Sequence, residues 1–79
     1  MKIINLTKNF SDKDIEKYTN QLKEKYLDPY IEYEDIIEVK VTNYGDYLKF
    51  IFKVYDDSNK IIPETNEKII REYTLFKVL

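Results

Sequence analysis

Cysteine is absent from this chain, so neither a disulfide nor a thiolate metal site is available to stabilise it, a pattern compatible with a reducing cytoplasm. Histidine is absent too, and the two gaps together remove the usual general base at neutral pH, the nucleophilic thiol and the soft metal ligands. The single glycine, Gly45, cannot build a glycine-rich phosphate loop. The single arginine, Arg71, leaves almost no capacity for the bidentate contacts that read guanine edges, so sequence-specific DNA binding is not expected. No apolar run approaches the roughly 20 residues of a membrane span, and Met1 to Asn5 lacks the apolar core of a signal peptide, so the expectation is a soluble, cytoplasmic protein. Carboxylate pairs, a desolvated lysine or a tyrosine remain as reactive groups, but nothing in the sequence gathers them. A non-enzymatic protein with no cofactor and no metal is expected.

What is present is lysine, tyrosine, isoleucine and acid. The formal charge of −2 is too small to imply a nucleic-acid partner or an acidic mimic of one. Phe, Tyr, Met, Ile, Asn and Lys supply 42 of the 79 residues, a skew towards AT-rich codons that argues against reading meaning into every lysine. A chain of this length makes a single domain, 1–79, and buries only about 60 to 65% of its unfolded surface, so self-association that shares apolar area is a reasonable expectation.

Two alternating runs, Ile36 to Thr42 and Tyr47 to Tyr55, meet at Asn43-Tyr44-Gly45-Asp46 and predict a β-hairpin. Ile37, Val39 and Val41 share one face of the first run, and Leu48, Phe50, Phe52 and Val54 share one face of the second. An even loop centred on Tyr44-Gly45 sets Val41 opposite Leu48, Val39 opposite Phe50 and Ile37 opposite Phe52. An odd loop turns half of that apolar set to water, so the pattern selects the even register.

Upstream, Met1 to Thr7 reads as a short strand with Ile4 and Leu6 on one face and Ile3 on the other, buried or paired on both sides. Ser11 is placed as a helix N-cap with Asp14 as its capping-box partner and Phe10 and Ile15 as a staple. The helix runs to about Tyr26, before Pro29, with a stripe of Ile15, Tyr18, Leu22 and Tyr26. Downstream, Asp56-Asp57-Ser58-Asn59 is a turn signal, and Pro63 to Asn66 a second irregular stretch. The segment Glu67 to Leu79 fits a strand better than a helix, though neither face is clean. The expected fold is a small two-layer α+β domain, β-α-β-β-β. One long N-terminal helix covers one face of an antiparallel sheet of three to four strands, and the last segment is alternatively a helix.

Two surfaces carry functional expectations. The connection after the helix holds Asp28, Glu32, Glu34 and Asp35 with Tyr30 and Tyr33, an anionic and aromatic surface suited to a basic protein partner; the competing reading is a merely solvated acidic loop. The spacing of those acids matches no EF-hand pattern. On the outer face of the hairpin the expected register sets Lys40 directly opposite Lys49, with Lys53, Tyr47 and Tyr55 nearby and Glu38 diagonal to Lys49 and Lys53. Facing lysines repel, and a bound anion such as a nucleotide would relieve them; the competing reading is a solvated face that discourages aggregation. Tyr47, Ile51 and Tyr55 form an apolar strip that a second copy, a partner or the last segment would cover.

The leading expectation is an interaction module that binds and blocks another macromolecule. Small, glycine-poor, AT-coded proteins are frequent among phage and mobile-element products that inhibit a host enzyme or defence system, including CRISPR systems, an associational step. The alternative is a homo-oligomeric binder of a small anionic ligand built on Lys40, Lys49, Lys53, Tyr47 and Tyr55.

Overall fold

A computed structural model describes the backbone of residues 1–62 and 67–79 and the side chains of residues 1–55 and 70–79. The order is β1 (Lys2–Asn5), α1 (Asp12–Tyr26), a 3-10 turn (Tyr33–Asp35), β2 (Ile36–Asn43), β3 (Tyr47–Ile62) and β4 (Glu67–Val78). These strands form one four-stranded sheet in the order β1-β2-β3-β4. The β-α-β-β-β order is the expected one, and the last segment is a strand. The sheet, however, is mixed: β1 pairs with β2 in parallel, while β2-β3 and β3-β4 are antiparallel. The cause is the helical crossover, which returns the chain to the end of the sheet where β1 began. β1 is also an edge strand with β2 as its one neighbour, rather than paired on both sides.

The helix begins where the capping box sets it. The Ser11 hydroxyl accepts from the Asp14 N–H at 3.1 Å, and the Asp14 carboxylate accepts from the Ser11 N–H at 3.3 Å. Ahead of it, the Asn5 side-chain amide donates to the Phe10 carbonyl at 2.7 Å, and the Thr7 hydroxyl donates to the Asn5 side-chain oxygen at 2.6 Å. This polar knot ties the end of β1 to the start of α1. The buried helical positions are Ile15, Thr19 and Leu22; Tyr18 is half-buried and Tyr26 is exposed. Leu27, just past the helix, takes the place the periodicity assigned to Tyr26.

Thr19 is fully buried, and its hydroxyl has no hydrogen-bond partner among the described residues. An unpaired buried hydroxyl costs about 1–3 kcal/mol, and valine has almost the same shape and helix propensity. Thr19→Val should therefore raise stability by about 1 kcal/mol, read as a higher urea midpoint at unchanged slope.

The hairpin keeps the expected faces but not the expected register. Val41 pairs with Phe50, Val39 with Phe52 and Asn43 with Leu48, so the two-residue loop is Gly45-Asp46, closed by the Tyr44 N–H donating to the Tyr47 carbonyl at 3.0 Å. Gly45 has φ +91°, whereas Tyr44 is not among the residues of positive φ. A loop centred on Tyr44-Gly45 demands positive φ of a tyrosine; moving the loop one residue on puts glycine at the first central position, where a primed turn accepts it. Each pairing moves by two, so parity survives and the apolar set stays inward.

Two further corrections follow from the ladder. The register shifts between Ile36 and Glu38, so Ile36, paired with Val54, enters the core at 2% exposure, and Ile37 is only half-buried. This is the effect of a bulge, which transfers the inward role to the preceding residue. Asp56 to Asn59 does not end a strand: β3 continues to Ile62, and the turn-like sequence coincides with a jump in register, from Asp56 opposite Ile69 to Ile61 opposite Lys68. The stretch Pro63 to Asn66 lies outside the described residues.

The core lies between α1 and one face of the sheet. Val39, Val41, Leu48, Phe50 and Phe52 are fully buried there with Ile15, and Leu27, Ile31 and Ile36 close its end. Ile3, Phe10, Tyr18, Tyr73 and Leu75 pack around it. Among the described residues no helix is long and apolar enough to cross a membrane.

Candidate interaction surfaces

The acidic connection is anchored by apolar residues and shaped by its own carboxylates. Leu27 and Ile31 are buried and fix its first turn to the core. Between them the Asp28 carboxylate accepts from the Tyr30 N–H at 2.9 Å, and the Ile31 N–H donates to the Asp28 carbonyl at 2.9 Å. The next turn repeats the device: the Asp35 carboxylate accepts from the Glu32 N–H at 2.9 Å, and the Asp35 N–H donates to the Glu32 carbonyl at 3.0 Å. Side chains that bond backbone in this way hold a loop in one shape. Asp28 and Asp35 are thus scaffold. Glu32 and Glu34 are exposed, and Tyr30 is 84% exposed. Tyr33 lies against the helical layer, where partial burial, and then the Glu16 carboxylate, push its phenol above the usual tyrosine value.

The lysine face is arranged differently from the expectation. Lys40 pairs with Ile51, and Lys49 with Thr42, so the like-charged pair does not form. Lys53 is directly opposite Glu38, with the ammonium 3.5 Å from the carboxylate. The shallow hollow here is lined by Ile4, Leu6, Glu38, Lys40, Ile51, Lys53 and Glu72. Within this hollow two carboxylates stand beside two ammonium groups, with Lys2 and Lys49 on the same face around it. Lys40, Tyr47, Lys49, Lys53 and Tyr55 do share one face of the sheet, but Lys40 is diagonal to Lys49 and Lys53 rather than directly opposite a lysine.

Several residues of this face escaped the sequence reading. β4 adds Glu72, Thr74, Phe76 and Val78, paired with Lys53, Ile51, Lys49 and Tyr47 respectively. β1 adds Lys2 and Ile4, paired with Glu38 and Lys40, and Leu6 follows them, its N–H donating to the Val41 carbonyl at 2.9 Å. At the turn end, Tyr44 and Tyr47 stack with ring centroids 5.3 Å apart, and the Phe76 ring meets Tyr47 edge-on at 5.5 Å. The signal was the alternation in Glu67 to Val78, blurred because its inward positions include Arg71 and Lys77 as well as Tyr73 and Leu75. Lys77 is accommodated by placing its ammonium 4.7 Å from the centre of the Tyr18 ring.

No protein-family model matches the chain, and neither a curated protein nor a solved structure matches it significantly.

Proposed function

We propose that this chain is a non-catalytic interaction module that occupies a basic surface of another protein through the loop from Asp28 to Asp35. The observation that carries the reading is the division of labour within that loop. Asp28 and Asp35 hold the backbone, while Tyr30, Glu32 and Glu34 point to solvent. A loop already held in one conformation loses less entropy on binding, and tyrosine offers rigid amphipathic area flanked by carboxylates that steer a cationic partner. Blocking a host enzyme or defence complex in the manner of phage or mobile-element inhibitors is the biological setting we attach to this reading, on composition alone. The anionic-ligand alternative rests on Lys40 diagonal to Lys49 and Lys53, with Lys53 engaged by Glu38, which is a weaker motive than two directly opposed lysines.

The test is retention of a partner from host lysate on the immobilised full chain, with the loop as the variable. Wild type should retain one or a few basic proteins, released by raised salt. Glu32→Lys with Glu34→Lys, and separately Tyr30→Ala, should lower that retention tenfold or more with the circular dichroism unchanged. Retention indifferent to both sets of changes would overturn the assignment of the loop, and a rise in melting temperature with nucleotide, lost in Lys49→Glu, would favour the anionic-ligand reading.

A further inference from the structure

The helix covers one face of the sheet, and no described element covers the other. We infer that this open face is the contact surface of a symmetric dimer, packed sheet to sheet against a second copy of this chain. The inference is independent of the role proposed for the acidic loop, which lies in the helical layer.

Three observations support it. First, the face is amphipathic rather than polar. Leu6 (49% exposed), Phe76 (52%) and Val78 (79%) are outward, together with the Tyr44-Tyr47 stack. Antiparallel sheets that end a fold on one side usually turn polar residues to water there.

Second, the charge in one row of this face is ordered, while Lys40 and Lys49 lie in the next rows, where a two-fold rotation parallel to the strands sets them over the partner's Ile51 and the partner's Thr42. One row across the four strands reads Lys2, Glu38, Lys53, Glu72, fixed by the pairings Lys2 with Glu38, Glu38 with Lys53 and Lys53 with Glu72. An alternating row of four is the complement of its own reversal. A two-fold axis parallel to the strands, passing between β2 and β3, reverses the strand order of the second copy. Lys2 then meets the partner's Glu72, and Glu38 meets the partner's Lys53, each contact occurring twice. The same rotation sets Leu6 over the partner's Phe76 and the tyrosine stack over its own image. The other in-plane two-fold, perpendicular to the strands and along this row, lays each strand on its own copy and sets Lys2 on the partner's Lys2. Like charges meet at every position of the row, so the pattern selects the first axis.

Third, the alternative route to a dimer, pairing along the free edge of β4, is opposed by sequence. That edge strand carries Arg71, Glu72 and Lys77, the charged residues by which exposed edges resist pairing. A face of four strands, spaced about 4.8 Å apart with about 3.3 Å per residue, places the contact at the small end of specific interfaces, so a reversible dimer is expected.

The experiment is sedimentation velocity on the full chain over a concentration series, at low and at high salt, with two charge reversals. Lys2 and Glu72 lie on opposite edges of the sheet and do not meet within one copy. Lys2→Glu and Glu72→Lys should each raise the dimer dissociation constant about tenfold, since each places two like-charged contacts in the interface. Mixed in equal amounts, the two variants should recover dimer, because the heterodimer restores both opposite-charge contacts. Raised salt should weaken the wild-type dimer. A chain that stays monomeric throughout, a dimer indifferent to both reversals, or a mixture that does not recover would each overturn the proposal.

Discussion

Phe50→Ala should bring the protein close to unfolding. Phe50 is fully buried, its ring centroid lies 6.0 Å from that of Phe52, and it sits between Val41 on β2 and Leu75 on β4. Removing a buried phenyl costs about 3–5 kcal/mol, part lost transfer energy and part the cavity left behind. A domain of this length has about 4–12 kcal/mol of stability, so the loss is about a quarter or more of what is available. The measurement is urea denaturation followed by far-ultraviolet circular dichroism, with Phe50→Leu as a control expected to lose about 1.5 kcal/mol or less. An alanine variant with a midpoint near that of wild type would mean that Phe50 is not in the core.

The second large effect is a contrast between neighbours. Ile36→Ala should cost about 2–5 kcal/mol, because Ile36 is 2% exposed and pairs with Val54 in the core. Ile37→Ala should cost less than about 1 kcal/mol, the loss of strand propensity at a half-buried position. Strict alternation along β2 assigns the large effect to Ile37, so the order of the two urea midpoints tests the bulge directly. Equal midpoints, or a lower one for Ile37→Ala, would reject it.

These two positions also mark what the sequence made legible. The helix bounds, the strand faces and the element order were readable because each is set locally, by the Ser11 capping box, by period-2 alternation and by Pro29. Register was not. Alternation fixes which residues point inward but is blind to a shift of two, and the choice between Tyr44-Gly45 and Gly45-Asp46 rests on which residue takes positive φ. The bulge at the start of β2 was hidden because Ile36 and Ile37 are the same residue type and pattern alone cannot choose between them. Leu27 and Ile31 sit in a stretch dominated by acid and tyrosine, so their role as core anchors emerged only from the packing.

For the surfaces, the acidic loop was legible as composition, but the assignment of Asp28 and Asp35 to backbone support depends on turns that no local pattern announced. The arrangement of the lysine face was misjudged through register: one shift of two made Lys40 and Lys49 diagonal neighbours and set Glu38 directly opposite Lys53. The charge row that supports the dimer could not be seen until β1 and β4 were placed on either side of the hairpin. That row is a property of sheet order.

The parallel seam between β1 and β2 has a consequence for how the chain acquires its structure. Lys2 lies beside Glu38, so β1 must wait for a partner 36 positions later in the chain. The hairpin of β2 and β3 closes over a two-residue turn and needs no such delay. Among the described residues, Ile3 is the apolar side chain of β1 that packs against the core. Assembly should therefore proceed from the middle of the molecule outward, with the amino-terminal strand seated last and, in amide exchange, the first to open.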